Sequence, residues 1–247
     1  GDYWSASWQP VGKPLDKFKS ECRHGTAYTK ITSEYEGIKS ETKYYVPLGQ
    51  TFEYWRLKVT NTGSKKRKLR AFSYCEFSNQ WNTTQDQVNL QYSIFIVKGE
   101  KSAPNMLRYS IHENLYIQHQ KNPAVSDYMS EWMALAGAPM TGFDTSREAF
   151  IGTYGSYKEP AAVLKGECSN SEAFGDNSCG TVQADIELNP GETKEIMVLL
   201  GIGDANVEGK KTVEEFGTFE RADEEFEKLV KNWHSKLDSF SAVTPDE

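Results

Sequence analysis

Long apolar runs are missing from this 247-residue chain. Nothing approaches the roughly 18 consecutive apolar residues that a spanning helix needs, and no charged-then-apolar leader opens it. A soluble, cytoplasmic protein with no membrane partner is expected. Basic excess is missing too: 28 Lys and Arg stand against 35 Asp and Glu, a formal charge of -7. That balance argues against a dedicated nucleic-acid or anionic-membrane surface. Cysteine is scarce. The four, Cys22, Cys75, Cys168 and Cys179, show no CxxC spacing, so a zinc site is not expected. Cys168 and Cys179 flank "SNSEAFGDNS" and could close a small loop, but a reduced pair is the simpler reading. Internal repeats and low-complexity tracts are absent. The chain opens at "GDYW" without methionine and stops at "VTPDE" after a helical pattern, as a segment of a longer polypeptide would.

What is present is strand. "EYWRLKVTN", "KLRAFSYCEF", "VNLQYSIFIV", "MLRYSIHENLYIQ" and "EAFIGTYG" are rich in β-branched and aromatic residues with partial period-two alternation. "TVQADIEL" and "KEIMVLLGIG" are joined by the turn "NPGET", and "GTAYTKITSEYEGIKSETKYYVPL" adds two or three strands around Glu36-Gly37. "KKRK", Lys65 to Lys68, follows "TNTGS" and reads as an exposed hairpin turn. Such a count predicts a mainly β fold, a large antiparallel β-sandwich. The exception is "VEEFGTFERADEEFEKLVKNWHSKLDSF". There Phe216, Phe219, Ala222, Phe226, Leu229, Val230, Trp233, Leu237 and Phe240 recur at three and four, predicting a C-terminal amphipathic helix. The expected division is a β-sandwich over 1–210, with helix and linker over 211–247.

Candidate chemistry is thin. Glu34 and Glu36 share a predicted strand face near Glu41, but acids on an exposed face are ordinarily solvated, and glycoside hydrolysis needs a defined pair. "CRH", Cys22 to His24, invites a thiol–imidazole reading, yet no third orienting group is visible. His112 and His119, seven apart, cannot share one face of a regular strand, and His234 stands alone. "GIGDAN", Gly201 to Asn206, resembles a phosphate-cradling turn but reads better as a plain one. Trp4 and Trp8 are either sugar-stacking platforms or core plugs, with burial the better expectation. The stretch "NQWNTTQDQVNLQYS" carries Asn79, Gln80, Asn82, Gln85, Gln87, Asn89 and Gln91. From Gln85 onward the amides alternate, which on a strand aligns four of them on one face. A hydroxyl-rich neutral partner such as a sugar, or a solvated polar ladder, would each suit that face.

Several motifs taken together resemble one family. "GDYWSASWQPVGKPL", "CRHGTAYTKI", "YYVPLG", "VTNTGSKKRKLRAFSYCEF", "GFDTSREAFIGTY" and "LNPGETKEIMVLLGIG" are similar, in order, to the N-terminal domain of the inverting disaccharide phosphorylases, the cellobiose and chitobiose phosphorylase family (glycoside hydrolase family 94). "CSNSEAFGDNSCG" is closer to chitobiose- and cellobionate-type members. The resemblance implies a galactose-mutarotase-like supersandwich followed by a linker helix and an (α/α)6 barrel. It implies a barrel aspartate as proton donor and inorganic phosphate as co-substrate in place of any cofactor. No catalytic or metal residue would then lie in this segment. The resemblance also implies a homodimer in which a loop of this domain borders the acceptor sugar in the neighbouring subunit. The matching positions are Gln91, which fits the pattern, and Tyr92, which departs from the family's arginine and so points to an acceptor other than plain cellobiose. Rival readings are a free-standing carbohydrate-binding module, an aldose-epimerase-like enzyme on the same sandwich, and a purely structural dimerisation domain.

Overall fold

The computed structural model describes residues 2–77, 97–111 and 130–240. Thirteen strands lie among them: β1 (Lys19–Gly25), β2 (Tyr28–Tyr35), β3 (Ile38–Tyr45), β4 (Phe52–Asn61), β5 (Arg67–Phe72), β6 (Cys75–Glu76), β7 (Val97–Ala103), β8 (Met106–Ile111), β9 (Glu131–Ala136), β10 (Gly142–Ser146), β11 (Ala173–Phe174), β12 (Ser178–Leu188) and β13 (Thr193–Ile202). They form a nine-stranded sheet, ordered β1-β2-β3-β4-β13-β9-β8-β7-β11, and a small sheet, ordered β10-β12-β5, in which β6 also pairs with β12. All the strand pairs are antiparallel. The fold is a mainly β supersandwich with a C-terminal helix.

Period-two alternation gives the large sheet two buried faces. Met133 and Leu135 of β9, with Ile196 and Val198 of β13, face the small sheet and meet Val182, Ala184, Ile186 and Leu188 of β12. Trp132, Ala134 and Ala136, with Met197 and Leu199, face the other way into a second core. Helix α3 (Lys210–Phe216) and helix α4 (Phe219–Leu237) cover that second core. Two shorter helices, α1 (Arg147–Ile151) and α2 (Ala161–Lys165), enclose a third cluster with Cys168 and Cys179.

The helical pattern predicted as one stripe is broken at Gly217-Thr218. Gly217 ends α3, and the Thr218 side chain accepts from the Arg221 N–H to start α4. Ala222 and Leu229 are buried against the sheet with Phe219, Phe226 and Trp233 packed around them, while Leu237 and Phe240 are exposed. Polar contacts fix the same face. Tyr45 donates to the Ala222 carbonyl at 2.5 Å and Tyr54 to the Phe216 carbonyl at 2.8 Å. The buried Arg56 donates to Glu195 at 2.8 Å and forks onto Asp223.

Three other expectations change. "EAFIGTYG" is not a strand: Ser146 accepts from the Ala149 N–H and opens α1, with Glu148 in the first turn. "KLRAFSYCEF" is two strands, because Ser73 and Tyr74 leave the ladder between β5 and β6. Glu36 does not share a strand face with Glu34. It stands with Gly37 in the β2–β3 turn, both at positive φ (49 and 75°), the backbone a two-residue hairpin demands. The basic run Lys65–Lys68 spans the β4–β5 turn and the start of β5, with Lys66 and Lys68 both paired to Glu187.

Candidate functional site

The small sheet covers only part of the large one. Along one row the register runs His24, Thr29, Tyr44, Trp55, Val198, Leu135. Directly opposed residues project to the same face. Val198 and Leu135 lie in the core beneath the small sheet, and Trp55 packs against that core, so Tyr44, Thr29 and His24 carry the same face outward over β3 to β1, half-buried at Tyr44 and Thr29 and exposed at His24. The next row runs Cys22, Ile31, Thr42 and Leu57, with Leu57 packed on the core, Thr42 buried and Cys22 exposed.

This face is a polar–aromatic shelf that is half-buried at Tyr44 and Trp55 and open at its β1 end. Tyr44 and Trp55 meet edge to face at 6.1 Å, and Trp55 donates its indole N–H to Glu53 Oε1 at 2.8 Å. At the outer end Cys22 Sγ lies 3.5 Å from His24 Nε2, whose Nδ1 lies 3.0 Å from the Thr29 hydroxyl. Thr29 is thus the third group the sequence did not reveal for the Cys22–His24 pair, though a hydroxyl orients an imidazole without stabilising its charge as a carboxylate would. At the other end the N-terminal segment closes the shelf. Trp4 packs on the core and on Tyr35 at 5.6 Å, and Ser33 donates to the Ala6 carbonyl at 2.5 Å. Trp4 is therefore a core plug. Trp8 donates its indole N–H to the Lys13 carbonyl at 2.7 Å.

Catalytic geometry is not found among the described residues. His24 and Glu53 belong to β1 and β4, three strand spacings or about 14 Å apart, too far to work on one bond. Glu41 bridges Lys30 at 2.7 Å and Lys39 at 3.2 Å, and the Lys30 contact leads in holding its carboxyl below the usual range. The "GIGDAN" amides serve the chain itself: Asp204 accepts from the Asn206 N–H and Glu208 from the Asp204 N–H. Cys168 and Cys179 are free, and burial raises both thiols, Cys179 to about 12. Nearby, buried Asp144 takes four hydrogen bonds on Oδ1, from the amides and hydroxyls of Ser169 and Ser171. This anchors the loop between the two cysteines. His234 is exposed on α4. Gln91, Tyr92, the amide stretch Asn79–Ser93, His112 and His119 lie outside the described residues.

One cluster was missed in the sequence. Glu76 Oε1 accepts from Arg147 Nε at 2.9 Å, Tyr157 at 2.5 Å and Tyr74 at 2.8 Å. Burial would raise the Glu76 carboxyl, but those three donors outweigh it and lower it. Arg147 and Tyr157 fall within or just beyond "GFDTSREAFIGTY", so the motif carried the signal, but only the fold brings it to β6.

Comparison with known proteins places this geometry. The family described as glycosyl hydrolase 94, supersandwich domain, matches residues 1–219. The chain belongs to that family. An N,N'-diacetylchitobiose phosphorylase of Vibrio furnissii is 31% identical over 247 residues, 100% of this chain and 29% of that protein. A solabiose phosphorylase of Paenibacillus borealis is 24% identical over 245 residues, 99% of this chain and 30% of its own length. A cellobionic acid phosphorylase of Neurospora crassa is 25% identical over 206 residues, 81% of this chain and 24% of its own. This glycosyl hydrolase 94 domain thus spans less than a third of each of these relatives.

Proposed function

We propose that this supersandwich is the N-terminal domain of a glycoside phosphorylase that reversibly phosphorolyses a β-linked disaccharide to an α-sugar 1-phosphate and a free sugar or sugar acid. The observation that carries the reading is the family match over residues 1–219 together with phosphorylase relatives aligned along the chain. A phosphate oxygen attacks the anomeric carbon, the glycosidic C–O bond breaks with inversion, and an acid protonates the leaving oxygen. Because phosphate is the nucleophile, one carboxylic acid suffices where hydrolysis uses two. That acid and the phosphate site are assigned to a catalytic barrel, and the protein is read as a cytoplasmic homodimer.

In this reading the domain shapes the acceptor side of the site through Gln91 and Tyr92. An amide bonds a sugar hydroxyl, and a tyrosine stacks on a ring without an arginine's charged fork. The full-length protein, given phosphate and a panel of β-linked disaccharides, is expected to release a sugar 1-phosphate from at least one. Release from none would sink the proposal. Replacing Gln91 and Tyr92 together by Ala is expected to raise the acceptor KM in the synthetic direction; an unchanged KM would favour a purely structural domain.

The shelf favours one second reading, a carbohydrate-binding module, because half-buried Trp55, Tyr44 and Thr29 leave part of two rings and a hydroxyl for a sugar without the barrel. Titrating the chain alone with oligosaccharides separates the two. Binding that Trp55→Ala abolishes would support the module, whereas a single wall of a phosphorylase site binds little. The about 14 Å between His24 and Glu53 disfavours an epimerase.

A further inference from the structure

Cys22 and His24 form a nucleophile–base pair that the proposed reaction does not use. Both are exposed on β1, the last strand of the large sheet. Two residues apart on a strand they project to one face, and Cys22 Sγ lies 3.5 Å from His24 Nε2. The other ring nitrogen is held across the β1–β2 hairpin, with Nδ1 3.0 Å from the Thr29 hydroxyl oxygen. A thiol that donates to Nε2 leaves the ring proton on Nδ1, where the Thr29 oxygen accepts it, so one tautomer satisfies both contacts. Alternation clears the face around them. In the register of β1, β2 and β3 every Lys, Arg, Asp and Glu falls in the rows of the opposite face, and the Cys22 row continues as Ile31 and Thr42. No carboxylate of these strands therefore opposes negative charge on Cys22, and His24 is the one basic group beside it on that face of the three strands.

We propose that Cys22 is a modification site, a thiol that exchanges with small disulfides while His24 takes its proton and Thr29 orients the imidazole. The Cys22 S–H proton moves to Nε2, the freed sulfur attacks one sulfur of the disulfide, and the S–S bond breaks. The leaving sulfur takes the proton back from the imidazolium. Cys22 ends oxidised in a mixed disulfide and the other half of the reagent ends reduced to a thiol, so no further oxidant is needed. A hydroxyl suffices as the third group because a thiol, unlike an alcohol, is already partly ionised at neutral pH and asks for less activation. The other three cysteines of this chain compete poorly. Cys168 and Cys179 are buried and Cys75 is half-buried, and burial raises each of these thiols. The site uses β1 and β2 alone and does not rest on the phosphorylase reading.

Bis(2-hydroxyethyl) disulfide is the probe, since a neutral reagent is not steered by the charges of Glu21 and Arg23. It is added to the full-length protein at pH 7, and the mixed disulfide at Cys22 is followed by peptide mass. Cys22 of wild type is expected to react about tenfold or more faster than Cys22 of His24→Gln. Thr29→Val should also slow it, and Thr29→Ser, which keeps the hydroxyl, should react as wild type does. Cys168 and Cys179 should stay unreacted in every variant, which separates a lost proton acceptor from a lost fold. If one substitution loosens the fold and exposes them, the other still decides. Equal Cys22 rates in wild type and His24→Gln, a Thr29→Val rate equal to wild type, or a wild-type Cys22 that reacts only after denaturation would each overturn the proposal.

Discussion

At the scale of single residues, Asp2 shows how a few contacts hold a segment that carries no regular structure. Its carboxylate meets the Lys13 ammonium at 2.5 Å and accepts from the Tyr35 hydroxyl at 2.7 Å. The Lys13 contact first, and then the Tyr35 bond, lower its pKa from 3.8 to about 2. A carboxyl that binds protons less readily folded than unfolded adds stability above its ordinary pKa and loses it as pH falls through the folded one. The tie between the N-terminal segment and β2 is therefore intact above about pH 4 and lost toward pH 2. The side chain is half exposed, so the contribution is modest. Peptide-level hydrogen exchange over residues 2–18 is expected to be slower in wild type than in Asp2→Asn at pH 5, with the difference vanishing near pH 2. A difference that persists at pH 2 would mean that other contacts hold the segment.

At the scale of elements, α4 belongs to the sheet because one stripe supplies both apolar and polar contacts. Leu229 is 2% exposed in that contact. Leu229→Ala keeps helix propensity but opens a cavity, and should cost about 2–4 kcal/mol, read as a lower urea midpoint. Exposed Glu227→Ala should change stability by less than about 0.5 kcal/mol. The sequence showed this helix through its three-and-four spacing, and the long strands through alternation. It hid the break at Gly217-Thr218, because Phe216 and Phe219 keep the spacing across it. It also misled at "EAFIGTYG", since a short apolar run fits strand or helix alike, and only the bond from the Ala149 N–H to the Ser146 side chain decides. The shelf was out of reach for a different reason. His24, Thr29, Tyr44 and Trp55 share a face through the register of four strands, which no local pattern encodes.

At the scale of the whole molecule, the nine-stranded sheet is one wall of two cores. Met133 and Met197 are both 0% exposed, yet Met133 faces the small sheet and Met197 faces the helices. Strands β9 and β13, which carry them, are hydrogen-bonded neighbours. Displacing either core's partner layer exposes one side of strands whose other side is packed, so neither core has an independent backbone on which to survive. The described sandwich and its helices should consequently melt as one unit although they bury two apolar layers. Met133→Ala and Met197→Ala are each expected to lower a single urea transition by about 2–5 kcal/mol, with tryptophan fluorescence and far-ultraviolet circular dichroism coincident in both variants. If Met197→Ala instead produced an early loss of helix with the sheet signal unmoved, α3 and α4 would be a separable layer, and the two cores would have to be treated as independent.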